Sequence, residues 1–176
     1  LGGDGDDNLQ GGDGDDTYIV DNAGDSILEA FFQGTDIVQS SVTHSLNSNV
    51  ENLTLTGNFD IDGTGNALDN ILIGNAGVNV LTGGLGNDTY VLGPGDSAVE
   101  SPYEGRDRIE TSLAHTLGDN FEDLLLTGNG IIDGTGNALD NALTGTNKLP
   151  GIGGQNVLTG LGGDDVLTGG TGVDTL

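Results

Sequence analysis

The chain opens GGDGDDNLQ (Gly2–Gln10) and repeats itself at once as GGDGDDTYI (Gly11–Ile19). Each nonapeptide reads G-G-x-G-x-D-x-U-x, where U is a large apolar residue. Asp7 and Leu9 fill the sixth and eighth places of the first unit, Asp16 and Tyr18 those of the second. The frame returns as GGLGNDTYV (Gly83–Val91), with Asp88 in sixth place, and as GGTGVDTL (Gly169–Leu176), with Asp174. Six residues of turn offer several main-chain carbonyls and one fixed carboxylate. Glycine reaches positive φ without a side-chain clash, so successive carbonyls can curl toward one point. Ca²⁺ is a hard cation that takes six to eight oxygen ligands. The three residues after the turn suit a short strand with one apolar side chain pointing inward. Two nonapeptides then make one coil, and stacked coils bring the turns of alternate repeats together with metal between them. One apolar side chain per nine residues is a thin core for a glycine-rich chain, whose ordering entropy is high. Metal that binds only the folded form shifts that balance.

The nonapeptide resembles the RTX, or hemolysin-type, calcium-binding repeats of secreted bacterial proteins. The resemblance implies an all-β fold, a right-handed parallel β-roll or β-solenoid with calcium held between glycine-rich turns. It also implies a location outside the cell or on its surface, with export by a type I secretion system. The candidate metal-binding residues are Gly2, Gly3, Gly5 and Asp7; Gly11, Gly12, Gly14 and Asp16; Gly83, Gly84, Gly86 and Asp88. To these are added Gly160, Gly163 and Asp165, then Gly169, Gly170, Gly172 and Asp174, with Asn79 as a neutral oxygen donor. A flexible glycine linker does not explain an aspartate at place six and an apolar residue at place eight in tandem units. A nucleotide-binding glycine loop needs a βαβ setting, and no helical apolar period follows these glycines.

Composition points the same way. The chain has 176 residues, 34 of them glycine, without a collagen period. Net charge is −25 with three basic residues, Arg106, Arg108 and Lys148. That balance excludes nucleic acid as a partner, because phosphate binding needs Lys and Arg, and it opposes anionic membrane surfaces. With 34% apolar residues at regular spacing, the chain is not a disordered acidic tail. Cysteine is absent, so no disulfide contributes. No apolar run approaches the length of a membrane span. The chain starts within a repeat phase, which suggests a piece of a larger secreted protein.

A longer period overlies the nines. Residues 11–74 are echoed by 83–145: DTYIV (Asp16–Val20) by DTYVL (Asp88–Leu92), GDSILE (Gly24–Glu29) by GDSAVE (Gly95–Glu100), and VENLTLTGN (Val50–Asn58) by FEDLLLTGN (Phe121–Asn129). DGTGNALDN occurs unchanged at Asp62–Asn70 and Asp133–Asn141. Such duplication predicts one continuous solenoid over 1–176. Its parts are repeats at 1–20, 65–92 and 136–176, spacer coils at 21–64 and 93–135, and an irregular loop at 146–151 around Pro150. The units at Gly65, Gly74 and Gly136 carry Asn70, Asn79 and Asn141 at place six, and the Gly151 unit carries Asn156. Asparagine keeps an oxygen but loses charge, which predicts weak metal sites or purely structural turns at Asn70 and Asn79. The spacers read as strands, as in IVQSSV (Ile37–Val42). Their acids Asp25, Glu29 and Asp36, echoed by Asp96, Glu100 and Asp107, read as turn caps more readily than as ligands.

No catalytic constellation stands out. His44 and His115 are equivalent positions of the two units, and one histidine per unit does not make a zinc site. The function expected is therefore a calcium-binding repeat region that folds and is stabilised outside the cell, not an enzyme. Two other readings fit the sequence. One is a structural segment of an adhesin, surface layer or filament, with end-to-end self-association, since Leu176 and Leu1 would join two chains in frame. The other is an accessory domain of a secreted hydrolase or epimerase.

Overall fold

The computed structural model describes residues 3–145 and 155–176. Among them there is no helix. The strands of the first half are β1 (Asn8–Leu9), β2 (Thr17–Val20), β3 (Ser26–Ile27), β4 (Ile37–Ser40), β5 (His44–Ser45), β6 (Asn52–Leu55), β7 (Gly63–Thr64), β8 (Ile71–Ile73) and β9 (Val80–Thr82). Those of the second are β10 (Thr89–Leu92), β11 (Ser97–Val99), β12 (Arg108–Thr111), β13 (His115–Thr116), β14 (Asp123–Leu126), β15 (Gly134–Thr135), β16 (Ala142–Gly145), β17 (Leu158–Thr159) and β18 (Val166–Thr168).

The chain is a parallel β-solenoid. Even-numbered strands form one nine-stranded sheet in the order β18-β16-β14-β12-β10-β8-β6-β4-β2. Odd-numbered strands form the opposite face in three shorter sheets, β1-β3, β5-β7-β9-β11 and β13-β15-β17. The even strands show the period of two that a half-buried strand requires. Tyr18, Val38, Leu53, Leu72, Tyr90, Ile109, Leu124 and Leu143 stand in register as one buried ladder. At Tyr18, Leu72, Leu81, Tyr90, Leu143 and Leu158 the eighth-place residue of the repeat thus fills the core. Gly63 and Gly134 face it from the other sheet. A Cβ on Gly63 would crowd Leu53 and Leu81, and one on Gly134 would crowd Leu124 and Leu158.

The coils are not uniform. Thr17 lies beside Ile37, Ile37 beside Asn52, Asn52 beside Ile71 and Ile71 beside Thr89, steps of 20, 15, 19 and 18 residues. The second unit again begins with a long step and a short one, from Thr89 to Arg108 and from Arg108 to Asp123. The spacers are therefore coils of the same solenoid, with one long and one short turn in each. The loop expected at 146–151 lies outside the described residues.

Candidate metal centre

Turns stack along two edges of the solenoid. One edge leads into the even strands and carries the turns ending at Asp16, Asp36, Glu51, Asn70, Asp88, Asp107, Glu122, Asn141 and Asp165. The other leads into the odd strands and carries those ending at Asp7, Asp25, Asn79, Asp96, Asn156 and Asp174. Along each edge the last residue of several turns donates its main-chain N–H to the side chain of its counterpart one coil on. Asp16 N–H donates to Asp36 Oδ1 (2.8 Å), Asp36 N–H to Glu51 Oε2 (2.8 Å), Asp88 N–H to Asp107 Oδ1 (2.8 Å) and Asp107 N–H to Glu122 Oε2 (2.8 Å). On the other edge Asp7 N–H donates to Asp25 Oδ1 (3.0 Å) and Asn79 N–H to Asp96 Oδ1 (2.9 Å).

Two classes of turn share this ladder. In the G-G-x-G-x-D class the second and fourth places have positive φ: Gly3 and Gly5, Gly12 (92°) and Gly14 (111°), Gly84 and Gly86, Gly170 and Gly172. The Gly160 turn is a variant with Leu161 (78°) and Gly163 in those places. First-place glycine has a different reason. A Cβ on Gly11 would run into the Asp16 carboxylate and the Tyr18 hydroxyl, and one on Gly83 into Asp88 and Tyr90. Gly160 and Gly169 face Asp165 and Asp174 in the same way. Gly2 lies outside the described residues.

The asparagine class is built differently. Asn66, Leu68, Asn75, Asn137 and Leu139 stand where the left-handed residues would be, and none has positive φ. Instead Asn66 Oδ1 accepts from Leu68 N–H (2.9 Å), Asn75 Oδ1 from Gly77 N–H (2.7 Å) and Asn137 Oδ1 from Leu139 N–H (2.8 Å), which are Asx turns. The sixth-place amide uses both ends. Asn70 Oδ1 accepts from Asn66 N–H (2.7 Å), while its Nδ2 donates to the carbonyl of Glu51 (3.0 Å). Asn141 does the same with Asn137 N–H and the carbonyls of Phe121 and Glu122. Asn79 Nδ2 donates to the Ile61 carbonyl (2.6 Å) and its oxygen accepts from Asn75 N–H (2.8 Å). An amide N–H thus takes the carbonyls of the neighbouring coil. Asn79 belongs with these self-satisfied turns.

The turns ending at Asp7, Asp16 and Asp88 are not self-satisfied. Asp7 Oδ2, Asp16 Oδ2, Asp36 Oδ2, Asp88 Oδ2 and Glu100 Oε2 are buried without a hydrogen-bond partner. Two clusters gather most of them. Oxygens of Asp16, Glu29 and Asp36 lie within 4.8 Å of one another, and so do those of Asp88, Glu100 and Asp107. Tyr18 donates its phenol proton to Glu29 and accepts from Gly11 N–H; Tyr90 donates to Glu100. The arginines are engaged elsewhere, Arg106 with Asp123 (2.5 Å) and Arg108 with Glu110 (3.5 Å). Burial first, then neighbouring carboxylates, pushes Asp88 up to about 7, Glu100 to about 8 and Asp107 to about 6, and raises Asp36. Burial of an uncompensated carboxylate is costly enough that such a group takes a proton or a cation. The donor set is all hard oxygen, which suits Ca²⁺ and not a thiol- or imidazole-seeking metal.

The amino-acid sequence matches the RTX calcium-binding nonapeptide repeat, in four copies, over residues 1–27, 64–98 and 150–176. The chain belongs to the RTX calcium-binding nonapeptide repeat family. Among curated proteins, the endo-1,3-1,4-beta-glycanase ExsH of Rhizobium meliloti (strain 1021) is 40% identical over 83 residues, which is 46% of this chain and 18% of that protein. The chain thus spans less than a fifth of that relative. No solved structure matches.

The RTX turns meet partners that their sequence frame does not foretell. The tandem turns ending at Asp7 and Asp16 lie on opposite edges, and each has a spacer turn beside it, ending at Asp25 and Asp36. The turn ending at Asp88 lies between the Asn70 turn and the spacer turn ending at Asp107. The Asp165 turn adjoins the Asn141 turn. Among the described residues, no two full G-G-x-G-x-D turns are neighbours on one edge. Glu29, Asp36, Glu100 and Asp107 therefore stand beside Asp16 and Asp88 in the two clusters, and Asp36 and Asp107 also cap the neighbouring turns, each accepting a main-chain N–H. The signal that could have found them is the echo of Glu29 and Asp36 at Glu100 and Asp107. His44 and His115 lie in β5 and β13, where burial holds both imidazoles below their usual value. Among the described residues no helix is long and apolar enough to cross a membrane.

Proposed function

We propose that this chain is the calcium-binding repeat region of a secreted bacterial protein, folded and stabilised by calcium outside the cell. The observation that carries the reading is the contrast between the two turn classes. At Asn70, Asn79 and Asn141 an N–H fills the space between coils; at Asp7, Asp16 and Asp88 a buried oxygen is left over. A cation liganded by that oxygen and by turn carbonyls supplies what the aspartate class lacks. The ligands we assign are the carboxylates of Asp7, Asp16, Asp88, Asp165 and Asp174 and carbonyls of the glycine turns that precede them. Asn79 is left out. Export follows from the same chemistry: at low calcium, carboxylates gathered on two edges repel, and at high calcium they are bridged. The glycanase relative supports a place within a larger protein, beside a region with its own activity, and no catalytic role is assigned to these repeats.

Far-UV circular dichroism during a Ca²⁺ titration, with Mg²⁺ as control, tests this. Gain of β signal with calcium and not with magnesium is expected. A spectrum already complete in EDTA would refute the proposal, because hydrogen bonds and apolar stacking would then suffice alone.

A further inference from the structure

Residues 28–63 and 99–149 lie outside the family match. They nevertheless supply Glu29, Asp36, Glu100 and Asp107, four of the six acids in the two buried clusters. We infer that each spacer completes a dedicated calcium site: Asp16, Glu29 and Asp36 hold one ion, and Asp88, Glu100 and Asp107 hold a second. The inference rests on the calcium reading above and goes beyond it, because the repeats alone do not make these sites.

Three features separate these clusters from a solvated acidic patch. The first is burial with nothing to pair. Asp36 and Asp88 are 1% exposed and Glu100 8%, yet Asp36 Oδ2, Asp88 Oδ2 and Glu100 Oε2 have no partner. The second is that the remaining oxygens are anchored, which aims the free ones. Asp36 Oδ1 and Asp107 Oδ1 are held by the N–H of Asp16 and Asp88. Tyr18 and Tyr90 fix one oxygen of Glu29 and Glu100. Asn49 and Asn120, both at positive φ, hold the main-chain carbonyls of the same two glutamates (3.0 Å each). The third is recurrence. Between the glutamate and the following aspartate the two spacers read AFFQGT and SPYEGR, yet both bring the same three acids and one tyrosine together. A formal charge of −3, with Arg106 and Arg108 paired to Asp123 and Glu110 and not to the cluster, matches a divalent or trivalent ion with oxygen preference.

The chain carries no tryptophan and three tyrosines, and Tyr18 and Tyr90 touch the clusters while Tyr103 is fully exposed. Tyrosine-sensitised Tb³⁺ luminescence therefore reports these two sites directly. In a Tyr103→Phe background the full chain should show sensitised emission that saturates at two ions and is displaced by excess Ca²⁺ but not by Mg²⁺. Glu29→Gln should remove about half the emission and Glu100→Gln the other half. The double variant should bind those two ions at least tenfold more weakly, while calorimetry still finds calcium at the other turns. Tyr18→Phe guards against a folding defect: it should lose its half of the emission and keep the calcium count. Unchanged emission and stoichiometry in the double variant would overturn the inference. Calcium-driven folding without sensitised emission in the parent would also overturn it and leave the RTX reading standing. Absence of both calcium-driven folding and calorimetric binding would remove both.

Discussion

Replacing Asn70 and Asp88 in turn by alanine separates the two turn classes. Asn70 is 1% exposed. Asn70→Ala strips the acceptor of Asn66 N–H and the donor to the Glu51 carbonyl, with weaker bonds to Val50 and Asn66 Oδ1. The Glu51 carbonyl keeps its bond from Ile71 N–H, so one main-chain group, the Asn66 N–H, is left unpaired, and a loss of about 1–3 kcal/mol is expected. That loss should not depend on calcium. Asp88→Ala removes a metal ligand, and its cost should grow with calcium. Each bound ion contributes RT ln(1 + [Ca²⁺]/Kd), which well above Kd is about 1.4 kcal/mol per decade of calcium. Urea unfolding at a series of calcium concentrations reads both quantities. Asn70→Ala should lower stability by a constant amount at unchanged slope. Asp88→Ala should flatten the slope by about 1.4 kcal/mol per decade. A calcium-dependent loss in Asn70→Ala, or an unchanged slope in Asp88→Ala, would refute the division.

Three further outcomes are expected. In the calcium-free chain Asp88, Glu100 and Asp107 have folded values of about 7, 8 and 6, above their unfolded ones. Their contribution to stability is complete below about pH 4 and is lost as pH rises through about 6 to 8. In EDTA, circular dichroism should thus show more β structure at pH 5 than at pH 8.5; the opposite order would contradict the burial argument. Leu161 stands at φ 78° and is 67% exposed, so Leu161→Gly relieves a left-handed side chain at little burial cost. It should stabilise by about 1–2 kcal/mol, a rise in Tm of about 2–8 °C by calorimetry, and a fall would count against the turn geometry. Gly83→Ala drives a methyl into the Asp88 carboxylate and Tyr90 hydroxyl. It should raise the calcium midpoint of folding, and a midpoint equal to the parent's would show that the first glycine serves some other purpose.

The architecture was largely legible. Leu9, Tyr18 and Tyr90 at place eight announced an inward side chain every nine residues, and the structure stacks Tyr18 and Tyr90 in the buried ladder. The glycines at places two and four announced left-handed turns, and Gly12, Gly14, Gly84 and Gly86 adopt them. What escaped was the pairing of turns. Counting eighteen from Asp16 arrives at Gly34, and from Asp88 at Arg106. The true partners are Asp36 and Asp107, because these steps hold 20 and 19 residues. A side-chain period is read from local alternation; an insertion inside a turn leaves that alternation intact while moving the partner. The asparagine turns were foreseen as weak or structural. Their mechanism, an amide N–H standing in a space between coils, depends on carbonyls of Val50, Glu51, Phe121 and Glu122, 19 or 20 residues away.

The order of coils gives the solenoid a graded dependence on metal. Within each unit a glycine-aspartate turn meets a long spacer turn, then a short one, then an asparagine turn. Only the first of these interfaces gathers three acids. At the second, Glu51 and Glu122 accept the N–H of Asp36 and Asp107 (2.8 Å each), so those carboxylates already have work within the chain. At the third, Asn70 and Asn141 close the gap with an amide. Along the edge that leads into the even strands, buried charge is thus concentrated at one boundary per unit. Leu53 and Leu72, paired in the apolar ladder, lie on the neutral side of it. A spacer that merely connected repeats would have no reason to differ in length from coil to coil. The 20-residue step makes room for Glu29 beside Asp36, and the 15-residue step that follows brings Asn49 onto the Glu29 carbonyl. The uneven lengths that obscure the frame are what build the buried site.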